Sequence, residues 1–419
     1  MESNHPAGHS ESAEEPLIDS VQTNCCVVGG GPAGVMLALL LARKGVPVTL
    51  LEGHKDFERD FRGDTVHPST LEILDQIGLA EKALKIPHGK VNSLELKTPN
   101  GKLVLGDLRR LNTKFPYVAL LPQAELLDFF VSEAKKYPAF RIVMGANVQR
   151  LVQTDGVVRG VRYRADDGWH EVLAPLTVGA DGRFSKLRSL IGTEMIKTAP
   201  PMDIVWLRFP KRPEDPHNDV LIHIVPGHFA AILERADSWQ IGYAIVKGSF
   251  AQVKAAGIQA LRDGMANISP WLKDRLNALE DWKQLPVLSV ESSMATKWYA
   301  PGLLLIGDAA HVMSPVGGVG INYAVQDAVE TANMLTESIR RGRVEVSELE
   351  AFQRLREPVV RKIQRLQGYL QDRIAGRALQ AGGEFKPPWI LSLISHVPIL
   401  RDMPARMIAF GPKHVRLKE

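Results

Sequence analysis

Residues 24–52 read NCCVVGGGPAGVMLALLLARKGVPVTLLE, and their order decides the fold. Asn24 to Val28 is a short apolar run of the kind that forms a buried strand. Gly29, Gly30, Gly31, Pro32, Ala33 and Gly34 follow at once. Val35 to Lys44 has a helical pattern closed by Gly45, and Val46 to Leu51 is a second apolar run ending at Glu52. Strand, glycine turn, helix, strand and acid make the dinucleotide-binding arrangement. Gly29 lets the chain turn sharply out of the strand. Gly31 leaves its backbone open to a pyrophosphate, and Gly34 lets helix and strand pack closely. The helix that opens at Pro32 presents the unpaired N–H groups of its first turn, from Ala33 onward, worth about half a positive charge. Glu52 is placed to accept from the ribose hydroxyls of an adenosine. A turn of purely structural purpose does not need this acid, but the motif alone does not separate FAD from NAD.

Two later segments extend the pattern. LTVGADGRFSKLR, residues 176–188, is an apolar strand ending at Asp181, with a tight turn at Gly182 and then Ser185 and Arg188. GLLLIGDAAHVMSPVGGVGIN, residues 302–322, places Asp308 just past the strand run Leu303 to Ile306. Ligands bind at such strand ends in open parallel sheets. The rigid Pro315 and the nearly side-chain-free run through Gly317 and Gly320 lead into a helix near Ile321 and Asn322, with Asp327 and Ala328 beyond. The helix start would stabilise negative charge before it.

These three segments, in this order across residues 24–335, resemble the single-component, class A FAD-dependent aromatic monooxygenases, the para-hydroxybenzoate hydroxylase-like family. The resemblance implies that Asp308 holds the ribityl hydroxyls of FAD; the alternative is a plain helix cap. It places Asp181 and Gly182 near the pyrophosphate and an incoming nicotinamide, although a capped turn there serves equally well. It places Arg62 beside the flavin and Gln123, which opens a helix, against FAD. A solvated arginine is the alternative for Arg62. Ser314 and Val319 depart from the family's closest patterns, and the tryptophan motif of flavin-dependent halogenases is absent.

The resemblance implies an α/β fold with a Rossmann-like FAD-binding domain of the GR2 type. That domain is expected to be discontinuous, over residues 21–85, 115–185 and 295–345. A substrate domain, mainly an antiparallel sheet, is expected over 86–114 and 186–294, and a C-terminal helical segment over 346–419. Within these, Pro99-Asn100-Gly101 breaks a hairpin, strand runs separated by turns fill 204–246, and 251–283 read as helical. Ser347 with Glu350 reads as a capping box opening a helix. The apolar and basic end of the chain either packs on its own FAD domain or touches a membrane surface.

The implied reaction is reduction of FAD by NADH or NADPH, uptake of O2 as a C4a-hydroperoxide, and oxygen transfer to an aromatic or polyketide-like small molecule. Another FAD oxidoreductase on this scaffold (oxidase, reductase or epoxidase) and a non-catalytic flavin or ligand carrier are the alternatives. A phenolic substrate would be helped by a base. His223, His228 and Tyr243 in the sheet region are the candidates, with His67 and His311 behind them, and each also has a purely structural reading. Alternation puts His223 on the strand face opposite Ile222 and Ile224.

Composition agrees with a globular protein. Of 419 residues, 45% are hydrophobic and the net charge is +4, with no basic block to suggest nucleic acid. The two cysteines, Cys25 and Cys26, are adjacent on a strand and point to opposite faces, so a reduced cytoplasmic protein is expected. Residues 1–20 are polar and acidic, unlike a signal peptide, and read as a disordered tail. No metal site and no integral membrane contact are expected, and a monomer or homodimer is.

Overall fold

The computed structural model describes residues 16–58, 63–198, 200–215, 221–379 and 388–418. Arg62 and most of the expected N-terminal tail lie outside the described residues.

A six-stranded sheet runs in the order Tyr299–Ala300, Leu303–Leu305, Leu176–Gly179, Cys25–Val28, Val48–Glu52, Phe140–Met144. All neighbours are parallel except the first pair. Four of these strands are buried along their whole length, which is why they read as unbroken apolar runs rather than alternating ones. The helices Pro32–Arg43, Gln123–Ala134 and Gly320–Arg340 pack as one layer, and Val158, Val161 and Val172 of a second, four-stranded sheet join the same core. Cys25 and Cys26 are free thiols inside it, and burial pushes Cys25 up to about 12.

Leu17–Gln22 forms an edge strand of that four-stranded sheet, parallel to Gly168–Leu173, so the expected tail is already ordered from Leu17. It is exposed along nearly its whole length, Leu17 and Ile18 included, so it has no core-facing pattern. The strand is held by its backbone ladder and by Asp19, which bonds His170 at 2.6 Å. Both partners are some 150 residues away in sequence, so composition could not reveal them.

A seven-stranded sheet stands beside this unit, ordered Val287–Leu288, Met202–Pro210, Ser238–Val246, His228–Glu234, Leu221–Val225, Ser93–Thr98, Gly101–Asp107. It is antiparallel except where Leu221–Val225 runs parallel to Ser93–Thr98. Its two faces are chemically distinct. One face (Val205, Leu207, Ala230, Ile232, Ile241, Tyr243, Ile245) is covered by the helix Ile258–Ile268 and the turns after it. The other (Leu96, Met202, Ile224, Phe229, Ala244) packs against Val316 and against Ala375 and Ala378 of the C-terminal region.

The expected helical stretch 251–283 is shorter than its pattern. Helices Phe250–Ala255 and Ile258–Ile268 give way to three isolated 3₁₀ turns, the first starting at Pro270. The long C-terminal helix spans Val346–Leu370, capped by Glu345 with Glu348 rather than by Ser347 with Glu350. Glu348 reaches back to the Glu345 N–H at 2.8 Å, and the carboxylate outcompetes the weaker hydroxyl cap two residues on. The helix continues into a π-helical turn, Gln371–Ala375. Beyond it, Ala405 meets Gly106, and Arg416, Leu417 and Lys418 bond Asn333 and Gln76, so the chain end packs on its own body. Trp389, Ile399 and Met403 remain exposed. No helix among the described residues is long and apolar enough to cross a membrane.

Candidate active site

Parallel pairing brings three distant segments to one sheet edge. Val28 accepts from the Ala180 N–H at 2.7 Å, and Gly179 accepts from the Ile306 N–H at 2.9 Å. The turns at Gly29, Asp181 and Gly307 therefore lie side by side. Gly29 has φ +105°, and a Cβ there would stand 2.3 Å from the Ala180 carbonyl oxygen. A Cβ on Gly34 would stand 1.9 Å from the Gly29 carbonyl oxygen, so the helix Pro32–Arg43 can approach the strand only with glycine at that position.

Gly31 differs from both. A Cβ built on it meets nothing within 4 Å. Open space in front of a helix start, next to Pro32 and Ala33, is what an anionic phosphate group requires. The residues present therefore fit a dinucleotide. Glu52 stands at the end of its strand, accepting from the Gly30 N–H at 2.7 Å and the His54 N–H at 2.9 Å, which fixes its carboxylate beside the glycine turn.

Asp181 serves as a cap. It accepts from Ser185 Oγ at 2.6 Å and the Leu187 N–H at 3.1 Å, while burial pushes its pKa upward. Gly182 takes φ +80° to make the turn. Arg188 then reaches across, donating to the Ala309 carbonyl at 2.9 Å and the Asp308 carbonyl at 3.4 Å. The second segment thus holds the backbone of the third.

The Gly307–Ala309 turn is held from below by Asp327. This carboxylate is fully buried. It accepts from the Gly307 N–H at 2.9 Å and from Arg356 Nε at 2.7 Å, and lies 2.7 Å from His311 Nε2. Burial opposes its ionisation, but His311, Arg356 and the Gly307 N–H outweigh that and hold it at about 2. Gly307 itself packs on Ala33, with a Cβ there coming 3.2 Å from the Ala33 Cβ. His311 is thereby a partner of Asp327 inside the core, its ring tilted 41° against that of Trp298 at 5.0 Å between centroids.

Pro315 to Gly320 forms a turn with φ +80° at Gly317 and +61° at Gly318. Thr65 Oγ1 donates to the Gly318 carbonyl at 2.5 Å, and a side chain on Gly318 would overlap it. At the start of the helix Gly320–Arg340, Ile321 is buried, and the Asn322 carboxamide oxygen accepts from the His67 N–H at 3.0 Å and Thr70 Oγ1 at 2.7 Å. The His67 ring sits against the Ile408 carbonyl, and burial pushes its pKa down to about 4. Gln123 opens its helix, and its N–H donates to Asp64 at 3.4 Å. Asp64 pairs with Arg235 at 2.8 Å, tying the glycine-turn unit to the seven-stranded sheet. Burial raises Asp64 to about 6, with Arg235 opposing.

The three candidate bases lie elsewhere. His223 packs its ring on the Ile268 carbonyl at 2.9 Å, and His228 Nδ1 lies 2.6 Å from the Tyr243 hydroxyl. All three project from the helix-covered face of the seven-stranded sheet, away from Val316. Burial pushes His228 down and Tyr243 up to about 12, so the pair is neutral near pH 7. Strand alternation correctly separated His223 from Ile222 and Ile224, but only the packing shows which face meets the glycine-rich turn. Arg356 escaped the sequence reading. Its one signal is an arginine on the apolar stripe of Val346–Leu370, where Leu349, Phe352, Val359, Val360 and Ile363 are buried with it.

A glycine cradle where three parallel strands end defines a dinucleotide-binding scaffold. The FAD binding domain model matches residues 22–367, and the chain belongs to this FAD-binding family. It is 32% identical over 406 residues to 6-methylpretetramide 4-monooxygenase of Streptomyces rimosus, covering 96% of each chain. It is 27% identical to protoasukamycin 4-monooxygenase of Streptomyces nodosus subsp. asukaensis, covering 86% of this chain and 90% of that one. Among solved structures, p-nitrophenol 4-monooxygenase from Pseudomonas putida DLL-E4 superposes with a TM-score of 0.73 at 21% identity, over 94% of this chain and 100% of that chain. The flavin-dependent brominase Bmp2 gives 0.76 at 17% identity, over 94% of each chain.

Proposed function

We propose that this protein is an FAD-dependent monooxygenase that uses NADH or NADPH and O2 to oxygenate an aromatic, polyketide-like small molecule. The open space before Gly31, at the edge where three strand ends meet, carries the reading. The relationship to 6-methylpretetramide 4-monooxygenase supports the substrate class. When bound, FAD supplies the redox chemistry, accepting reducing equivalents and delivering one oxygen atom of O2 to the substrate.

The chain's own residues bind and orient. The backbone at Gly31 and Ala33, on either side of the helix-opening Pro32, would receive the pyrophosphate, and Glu52 would receive the adenosine ribose. Asp308 would receive the ribityl chain and Gln123 would contact the cofactor, a role that the family resemblance also gives to Arg62, which lies outside the described residues. Asp181 and Gly182 shape the turn beside it. The helix start at Gly320, Ile321 and Asn322 would direct partial positive charge toward a bound flavin, with Pro315 and Gly317 shaping the approach. The division into an FAD-binding unit (21–85, 115–185, 295–345), a substrate unit (86–114, 186–294) and a C-terminal helical segment (346–419) follows from these roles. His223, His228 and Tyr243 act as structural groups under this reading. Two reduced, buried cysteines fit a cytoplasmic enzyme.

The test is direct. The purified protein is expected to be yellow, and to oxidise NADH or NADPH faster in the presence of a phenolic polyketide, giving a product one oxygen atom heavier by mass spectrometry. A colourless protein that FAD does not reconstitute ends the reading.

A further inference from the structure

His67 stands where three segments meet, immediately before the helix Pro68–Gln76. It is 1% exposed, and its ring lies between two backbone carbonyls. Nδ1 is 2.6 Å from the Ile408 carbonyl oxygen, and the Gly318 carbonyl also stands beside the ring. A carbonyl oxygen only accepts, so at 2.6 Å the proton is on Nδ1. With its pKa near 4 the ring is neutral at pH 7, and a neutral imidazole has a single N–H. Nε2 is therefore a bare acceptor, buried and without a hydrogen-bond partner among the described residues. The Gly318 carbonyl accepts from Thr65 Oγ1 instead.

The sequence prepares the Ile408 carbonyl for this bond. Ile408 lies in the last turn of the helix Asp402–Phe410, where carbonyls lack partners inside the helix. The residue four positions on is Pro412, which has no N–H to give. His67 supplies the donor from another segment. The helix stops at Gly411 with φ +73°, where a Cβ would stand 2.8 Å from Tyr323 Oη. A glycine stop therefore lets the helix end close on the start of the helix Gly320–Arg340. On its other side, the His67 backbone N–H donates to Asn322 Oδ1 at 3.0 Å, and Asn322 Nδ2 donates to the Thr65 carbonyl at 3.5 Å. One residue thus holds the C-terminal helix by its ring and the Gly320–Arg340 helix start by its backbone.

We propose that His67 is a positioning residue for the flavin, and that the helix Asp402–Phe410 acts through it as part of the cofactor site. The Nδ1–H holds Ile408, the backbone N–H holds Asn322, and the ring is wedged beside the Gly318 turn between them. Displacing the ring frees the turn and the helix start that the flavin would face. This rests on the proposed FAD enzyme reading and adds the residue that fixes its turn.

The holoenzyme tests it. FAD release on dilution, followed by the rise in flavin fluorescence, gives the affinity, and the visible absorption band of the bound flavin reports its surroundings. His67→Leu removes the ring donor and keeps the backbone N–H. It should hold FAD about fivefold more weakly, the worth of one hydrogen bond, and shift the visible band. His67→Asn places an amide N–H close to the Nδ1 position. It should restore the band and bring the affinity to within about twofold of the parent. His67→Gln sends its amide toward the Nε2 position and misses Ile408, so it should behave as leucine does; it carries the test if the leucine variant does not fold. Tyr243→Phe, which loses a hydrogen bond on the helix-covered face, controls for stability loss alone and should leave affinity and band unchanged. The proposal is overturned if the leucine and glutamine variants match the parent, if asparagine does no better than they do, or if Tyr243→Phe gives the same loss. A parent that holds no FAD ends the enzyme reading and this one together; a yellow parent with indifferent His67 variants ends this one alone.

Discussion

Replacing Arg356 with methionine isolates what holds the Asp308 turn. Methionine keeps much of the stem's bulk and removes the charge. In the parent, Arg356 Nε donates to Asp327 at 2.7 Å with both side chains at most 1% exposed. The variant leaves a carboxylate buried with His311 and the Gly307 N–H as its remaining partners. Breaking a buried pair from one side costs about 3–5 kcal/mol, because the other charge stays in the core. A urea titration followed by tryptophan fluorescence should show that loss. Since Asp327 also anchors the Gly307 N–H, FAD affinity should fall at least tenfold, read by flavin fluorescence on binding. Arg356→Lys should recover part of the stability through the charge and less of the affinity, because one ammonium does not copy the guanidinium geometry. Pairing Arg356→Met with Asp327→Asn removes both charges. The double variant should therefore be at least 2 kcal/mol more stable than the sum of the single losses predicts. Additive losses, or an Arg356→Met protein within about 1 kcal/mol of the parent, would refute the account.

Three other outcomes follow from the geometry. Gly31→Val should abolish FAD binding while the apoprotein melts within about 2 °C of the parent, because its side chain enters open space; Gly34→Ala should instead destabilise the fold by about 3 kcal/mol through its clash with Gly29. Tyr243→Phe and His228→Asn should cost about 1 kcal/mol each and leave kcat within about twofold, since their hydrogen bond lies on the helix-covered face; a hundredfold fall in kcat would make them catalytic. Asp327 has a folded pKa depressed from 3.8 to about 2, so its ionised form stabilises the fold above pH 4 and that contribution fades as pH falls toward 2. The stability gap between the parent and Asp327→Asn should accordingly narrow in urea titrations taken from pH 5 down to pH 3, and a constant gap would contradict the depressed value.

Local sequence determined the strand ends and the glycine turns, because those depend on short-range constraints. An apolar run ending in Gly29, Asp181 or Asp308 states its own geometry: a buried strand, then a position where a side chain is forbidden or an oxygen is needed. Alternation likewise placed His223 and Ile222 on opposite faces of one strand. Tertiary structure alone decided which face meets the glycine-rich turn, because both faces of the seven-stranded sheet are apolar and buried, and periodicity carries no label for the partner. The same limit hid Arg356, whose partner Asp327 sits on another helix, and the strand Leu17–Gln22, whose hydrogen bonds come from a segment far along the chain.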